Sequence, residues 1–325
     1  VIRLLAAFAG LAMMSAAAGF DLQGHRGARG LAPENTLPAF AGALSIGVST
    51  LELDVAITAD GVVVVHHDRR LNPDVARSAD GRWLRAPTRA IRELTFHELQ
   101  RYDVGRIRPG SDYSRRFPDQ RRMDGVRIPR LEDLFALVRH ARNDEVRFNI
   151  ETKISPEAPD ETVGPDEFAR SLIRVARASG MAARTTIQSF DWRTLAIVQR
   201  EAAEITTSYL SSQSVSLDNI GAGQAEDSPW TAGVRFRDHG SVPRMVKAAG
   251  GAIWSPNHLE LTAALVKEAH DLGLKVLPWT LNDPADMERL MDWGVDGMIT
   301  DYPNRLRDVM AAKGLPLPKP TPVAP

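Results

Sequence analysis

Six short segments of this sequence, the last two taken as a pair, gather the residues able to do acid/base, metal and anion chemistry. The first is GHRGARGLAPENT, residues 24–36. His25 can exchange a proton near neutrality. Arg26 can fork two hydrogen bonds onto a phosphate. Gly24, Gly27 and Gly30 allow sharp turns and leave amides open. Asn35 is a candidate cap for the helix that follows. The second segment is LELDV, residues 51–55, in which Glu52 and Asp54 alternate with apolar residues. A period of two puts both carboxylates on one face of a strand. If that face is buried, the like charges need a cation, a proton or a partner.

The third segment is DGVVVVHHDRRL, residues 60–71. Asp60-Gly61 is a hairpin turn, and four valines then run back along the preceding strand. The run ends on His66, His67 and Asp68. Alternation points one imidazole toward a site and the other away, and Asp68 can orient the inward ring. The fourth segment is FNIETK, residues 148–153, where Asn149, Glu151 and Lys153 share a face. Glu52, Asp54 and Glu151, with no thiol in the chain, point to one hard divalent cation, Ca²⁺ or Mg²⁺, held through oxygen. The fifth group is a pair of strand ends, TTIQSFDW and LPWTLND, which supply Gln188, Phe190, Trp279 and Asn282. Trp279 could cover an apolar or sugar-like face of a ligand, and Gln188 could hydrogen-bond it. Asp296 and Asp301, around the last strand candidate, read as capping and turn residues. His97, His140, His239, His258 and His270 have no motif context and read as surface or satisfied histidines.

These residues need a frame that brings them together. Strand patterns occur at 21–24, 50–58, 62–67, 147–153, 185–190, 205–210, 252–255, 275–281 and 297–300. Helix patterns occur at 35–45, 131–142, 165–179, 192–201, 262–272 and 284–293. Leu131, Leu134, Phe135 and Val138 make one apolar helical face. Such alternation implies right-handed βαβ units and a parallel sheet. Roughly eight units in this length fit a (β/α)₈ TIM barrel, whose active site lies at the C-terminal ends of the strands. Nearly all the residues above fall at such ends. An open doubly wound sheet is the alternative, but no G-x-G-x-x-G follows the first strand. Residues 69–130 hold no convincing βα unit and read as an insertion between the second strand and its helix. Within 101–130, nine arginines stand against four aspartates. Residues 211–242 form a second irregular stretch.

The ends have their own character. Arg3 precedes an apolar run from Leu4 to Met14, and Ala16 to Ala18 satisfy an A-x-A cleavage rule. Residues 1–18 therefore read as a secretory signal peptide, with Val1 at an initiator position and the mature chain secreted or periplasmic. Residues 19–314 would hold the barrel. Residues 315–325 are proline-rich and read as a disordered tail. With 40 basic and 41 acidic residues the formal net charge is −1, which excludes a globally basic nucleic-acid binder. No cysteine is present, so disulfides, thiolate metal sites and a cysteine nucleophile are excluded. No segment after the leader has the uncharged length of a membrane span.

Taken in order, HRGARGLAPENT, LELDV, VVVVHHD, NIETK, IQSF and PWTLND resemble the successive motifs of the glycerophosphodiester phosphodiesterases, from Gly24 to about Asn304. The resemblance implies a TIM barrel with a small insertion after the second strand. It implies hydrolysis of small-molecule glycerophosphodiesters to sn-glycerol 3-phosphate and an alcohol with one divalent cation. By motif position, His25 and His67 correspond to the catalytic acid/base pair, and Glu52, Asp54 and Glu151 to the metal ligands. Arg26 and Lys153 match positions that hold phosphate; Gln188, Trp279 and Asn282 match positions that line the pocket. His66, beside the matched histidine, is an addition. Two other readings are a phospholipase D-like enzyme cleaving lysolipids or sphingomyelin on the same scaffold, and a non-catalytic organophosphate-binding protein. The first would need an apolar rim at the mouth; the second would need the basic residues but no histidine pair.

Overall fold

The computed structural model describes residues 19–325; the signal peptide expected over 1–18 lies outside the described residues. Eight parallel strands form a nearly closed barrel: β1 Asp21–Gly24, β2 Thr50–Ile57, β3 Arg147–Thr152, β4 Thr185–Ser189, β5 Thr206–Ser211, β6 Ile253–Pro256, β7 Lys275–Val276 and β8 Gly297–Thr300. Each is followed by a helix: α1 Leu37–Ile46, α2 Leu131–His140, α3 Pro165–Ala178, α4 Trp192–Glu201, α5 Val242–Ala248, α6 Ala263–Asp271, α7 Pro284–Asp292 and α8 Pro303–Ala312. The sheet runs β7-β6-β5-β4-β3-β2-β1-β8, so the first strand pairs with the last. The chain is a (β/α)₈ TIM barrel.

Parallel strands covered on both faces must be apolar outward, and here they are. Leu51, Leu53 and Val55 of β2 are fully buried, as are Phe40 and Leu44 of α1 and Leu131, Leu134, Phe135 and Val138 of α2, all in one core. Every residue of β2 is buried, so Glu52 and Asp54 occupy the barrel interior, where an unpaired charge is costly.

Several boundaries differ from the sequence patterns. Helix α1 starts at Leu37, not Asn35, because Asn35 adopts φ +54° and Thr36 is the cap. The seventh strand, expected over 275–281, keeps regular pairing only at Lys275–Val276. Pro278 lacks a donor, yet its carbonyl accepts from Ile299 N–H (3.0 Å), and Leu281 N–H donates to Ile299 O (3.0 Å), which draws β7 toward β8. Helices α5 and α8 were not anticipated. Each starts with a proline in its first turn, where the missing N–H costs nothing, and each is too short or too polar to show a clear period.

Beyond β2 the chain returns as Val63–Val65, antiparallel to it, with Val55 opposite Val65. Residues 69–130 then build a second apolar cluster of Leu71, Ala76, Ile91, Leu94, Leu99, Val104 and Ile128 against Ala56 and Val64. The proline-rich end does not hang free. Thr321 N–H donates to Leu44 O (2.8 Å), Asn143 donates to Thr321 Oγ1 (2.9 Å), Arg307 donates to Pro318 O (2.7 Å), and Val323 packs against the core. Extended proline-rich backbone has few donors of its own, so helix and loop groups supply the bonds. No helix among the described residues is long and apolar enough to cross a membrane.

Candidate active site

The register of the barrel assembles the acidic cluster. In parallel pairing Asp54 lies beside Glu151, Glu52 beside Asn149, and Glu151 beside Gln188. Oxygens of Glu52, Asp54 and Glu151 come within 4.8 Å of one another, and all three residues are buried. Burial and the neighbouring Asp54 hold the Glu52 carboxyl well above the usual range. Burial likewise lifts Glu151 to about 7, against the pull of Lys153. For Asp54 burial opposes ionisation, but the basic groups of His67, Arg26 and Lys153 outweigh it and hold it low. Asp54 Oδ1 is buried with no hydrogen-bond partner among the described residues. Hard oxygen donors gathered at one point and an orphaned buried oxygen fit a divalent cation; this buried triad could hold one.

Strand β1 ends in the loop that carries His25 and Arg26. Gly27 turns it at φ +83°, and a Cβ there would meet the Ala39 carbonyl carbon at 2.7 Å, so only glycine fits. Arg26 itself adopts φ +50°, a left-handed conformation that non-glycine residues rarely take. That conformation aims the Arg26 N–H at Glu52 Oε2 (2.8 Å). The guanidinium lies 3.2 Å from Asp54 and 2.8 Å from Glu34. Asn35, expected as a helix cap, instead donates to Asp54 Oδ2 (2.8 Å) and accepts from the Asp54 N–H (3.3 Å).

Two imidazoles face this cluster. His25 Nδ1 is 2.6 Å from Asp301 Oδ1. Burial opposes ionisation of Asp301, but Arg29 and His25 hold it well below the usual carboxylate range. A carboxylate only accepts, so Nδ1 donates and Nε2 keeps its lone pair, 3.9 Å from Glu52 Oε2. Burial, then Arg29, lowers His25 to about 4. His67 Nδ1 is 2.8 Å from Asp68, and its Nε2 is 3.1 Å from the Lys153 ammonium. Burial, then Arg26 and Lys153, lowers His67 to about 3. Both rings are therefore neutral at pH 7. His67 lines the cavity; His66 does not.

The open cavity, about 520 Å³, is lined by His25, Arg26, Glu52, His67, Glu151, Lys153, Gln188 and Trp279, with Phe190, Leu210 and Ile299 as an apolar wall. The Phe190 and Trp279 rings pack edge to face at 5.4 Å. Gln188 touches the cavity but gives its amide to Glu52 Oε1 (2.7 Å) and accepts from Asn149 (2.9 Å). Asn282, expected in the lining, lies behind it and donates to Asp301 Oδ2 (2.7 Å). Lys153 reaches both Glu151 Oε1 (2.7 Å) and Asp54 Oδ1 (3.8 Å). Two members escaped the sequence reading. Arg29 lines the cavity and grips Asp301 with two bonds of 2.7 and 3.0 Å. Asp301, read as a turn residue, is the partner of His25. It follows β8 directly, as His25 follows β1, and the pairing of those strands was the signal that could have joined them.

A barrel with paired histidines, two cations and a carboxylate triad at its mouth is the architecture of a phosphoric diester hydrolase. Residues 25–305 match the sequence model of the Glycerophosphoryl diester phosphodiesterase family, and the chain belongs to it. A glycerophosphodiester phosphodiesterase of Caldanaerobacter subterraneus subsp. tengcongensis is 27% identical over 290 residues, covering 89% of this chain and 97% of its own length. A crystal structure from Silicibacter pomeroyi DSS-3, assigned as a glycerophosphoryl diester phosphodiesterase, is 38% identical with TM-score 0.81, covering 92% of this chain and 95% of that one. The fold is also shared, at 20% identity and TM-score 0.64, with an Oleispira antarctica phosphodiesterase in complex with the product sn-glycerol-3-phosphate; there the coverage is 90% of this chain and 97% of that one.

Proposed function

We propose that this chain hydrolyses glycerophosphodiesters to sn-glycerol 3-phosphate and an alcohol, with His25 and His67 as the acid/base pair and a divalent cation on Glu52, Asp54 and Glu151. The observation that supports the reading is the convergence, around one cavity, of two oriented neutral imidazoles, Arg26 and Lys153, and the acidic triad, of which Glu52 and Glu151 line the cavity. A phosphodiester is an anion with a poor leaving group, so its charge must be met and two protons must move. When bound, the cation, Ca²⁺ or Mg²⁺, supplies charge neutralisation at a phosphoryl oxygen. Arg26 and Lys153 meet the remaining phosphate charge at the transition state. The His25 Nε2 lone pair takes the proton of the attacking hydroxyl, and Asp301 stabilises the imidazolium that forms. His67 acts as the acid in its protonated form: Asp68, 2.8 Å from Nδ1, stabilises the imidazolium, its Nε2 proton passes to the leaving alcohol oxygen, and exchange with water then resets both rings. Trp279 and Phe190 cover the apolar side of the substrate, and the site acts in a secreted or periplasmic mature chain.

The test is enzyme-coupled detection of sn-glycerol 3-phosphate from glycerophosphocholine and glycerophosphoethanolamine. The expected result is release that EDTA abolishes and added Ca²⁺ or Mg²⁺ restores, and that falls by ~10²–10⁴-fold in His25→Ala and His67→Ala. No release with either metal from folded protein rejects the proposal.

A second substrate reading has one observation in its favour. Val215, at the tip of the short hairpin after β5, and Leu259, in the loop after β6, are the most exposed large apolar residues described. Both loops open on the face that carries the cavity, and Glu260 Oε1 ties them by accepting from Gln213 N–H (2.8 Å). An apolar rim of this kind suits a lysolipid chain. Faster turnover of lysophosphatidylcholine than of glycerophosphocholine, lost in a Val215→Ser/Leu259→Ser variant, would favour it.

A further inference from the structure

One segment of the arginine-rich insertion, residues 113–121, packs against the loop that carries His25 and Arg26. Tyr113, 8% exposed, lies in the small helix Asp112–Arg116, and its hydroxyl donates to Glu34 Oε2. Glu34 Oε1 in turn accepts from the Arg26 guanidinium (2.8 Å). Four residues on, the Phe117 ring lies under the Arg29 guanidinium, 4.6 Å from centroid to carbon. Arg29 is the residue that forks Asp301, the partner of His25. The backbone of the loop is held as well: Gln120 donates to Arg29 O (2.7 Å), and Arg121 N–H donates to Leu31 O (3.0 Å). Val75, Ile107, Tyr113 and Phe117 of the insertion form an apolar cluster with Leu31 of the loop and Tyr302 after β8.

Long flexible arginines lose much rotamer entropy when they must hold one pose. A site that needs two of them aimed at defined points gains from a rigid second layer. Here that layer comes from the insertion. We propose that Tyr113 and Phe117 are positioning residues of the insertion: Tyr113 aims Arg26 at the phosphate through Glu34, and Phe117 holds Arg29 so that Asp301 keeps His25 oriented. The proposal rests on the phosphodiester reading of the site, and it gives the insertion a task in binding and turnover. The two branches touch at the Tyr113 hydroxyl, which also accepts from Arg29 Nη1 (3.4 Å). The hydroxyl itself donates to Glu34, and the Arg29 guanidinium rests on the Phe117 ring, so Tyr113 bears mainly on Arg26 and Phe117 on Arg29. Loss of the Tyr113 hydroxyl weakens capture of phosphate. Loss of the Phe117 ring loosens the acid/base histidine.

Tyr113→Phe removes one oxygen atom and leaves the ring in its cluster. The expected result is a KM for glycerophosphocholine and a Kd for inorganic phosphate each raised about tenfold, the effect of one lost hydrogen bond to a charged group, with kcat within about twofold. Phe117→Leu keeps an apolar filler and should lower kcat about tenfold while KM and phosphate affinity stay near wild type. In a Glu34→Gln background, Tyr113→Phe should add less than twofold, because the route through Glu34 is already altered. Melting temperature, recorded for each variant, checks that the fold is kept. Wild-type KM and phosphate affinity in Tyr113→Phe overturn the proposal. So does equal loss of kcat and affinity in both variants together with a fallen melting temperature, which is the mark of general damage. If the wild-type protein binds phosphate but releases no sn-glycerol 3-phosphate, the functional reading fails on its own, and the phosphate titrations still decide the Tyr113 branch. Wild-type protein that binds no phosphate overturns both.

Discussion

At the scale of single residues, the least expected feature is the pairing of His25 with Asp301. A neutral imidazole can carry its proton on either nitrogen, and only one choice leaves Nε2 free toward the acidic cluster. The 2.6 Å bond to Asp301 makes that choice. Asp301→Asn removes the charge and offers an amide that can satisfy either tautomer. We expect kcat to fall by ~10²-fold, the lower end of an acid/base contribution. Asp301 raises the His25 pKa, whereas burial and Arg29 lower it to about 4. Without Asp301 the ring becomes still harder to protonate, so the acid limb of the pH–kcat/KM profile should move to lower pH. An unchanged profile with wild-type kcat would show that Asp301 is only a turn residue. The same contrast shows what was legible in the sequence. Glu52 and Asp54 announce themselves within five residues, because strand alternation is a local rule. His25 and Asp301 are 276 positions apart, and no local pattern joins them. His67 against His66 was open from sequence, since the return strand ends at Val65 and alternation has no fixed phase beyond it.

At the scale of elements, strands β1 to β4 place a polar layer inside an otherwise apolar barrel. Asn149 donates to Gln23 (2.9 Å) and to Gln188 (2.9 Å), and Gln188 donates to Glu52 (2.7 Å). This layer fixes the Glu52 carboxylate from below while the Arg26 N–H fixes it from above. Gln188→Leu keeps the volume but strands Glu52 Oε1. We expect cation affinity, read by calorimetry, to fall by ~10–100-fold, the usual cost of losing a group that orients a ligand. Cation binding should also release protons. With Glu151 held at about 7, a cation arriving at pH 6 must displace the proton of a largely neutral carboxyl; well above pH 7 it need not displace that one. Apparent affinity should thus rise with pH, and heats at pH 6 should depend on the ionisation enthalpy of the buffer. Heats independent of buffer would mean that the triad is already ionised. The strand frame was readable from sequence because short apolar runs alternate with amphipathic stretches along most of the chain. The insertion was visible only as a break in that rhythm, since Tyr113 and Phe117 belong to no periodic face and take their meaning from Arg29 and Glu34 on another loop.

At the scale of the whole molecule, the chain closes on itself twice: β8 pairs with β1, and the proline-rich end lies back over α1 and α2. The end was read as disordered because its composition is that of a free linker. The structure instead gives it Leu44 O, Asn143 and Arg307 as partners and buries part of Val323. Two or three hydrogen bonds and one half-buried valine are worth about 2–4 kcal/mol. Deletion of residues 316–325 should therefore lower the melting temperature by roughly 3–6 °C, read by scanning calorimetry. Turnover at 25 °C should stay at wild type, because no residue of this segment lines the cavity. An unchanged melting temperature would mean that the segment does not hold in solution.

The seam between β1 and β8 also sets when His25 gains its partner, since Asp301 follows the last strand. A ribosome has finished the three carboxylates by residue 151, long before it reaches Asp301. Until the last strand emerges and docks, His25 has no partner, Arg29 has nothing to fork, and the barrel stays open on that side. A nascent chain can contain Glu52, Asp54 and Glu151 and still lack Asp301, the partner of His25. On the proposed mechanism an oriented base therefore arrives late, with the final βα unit, and a chain cut short of residue 301 should show no release of sn-glycerol 3-phosphate in the coupled assay.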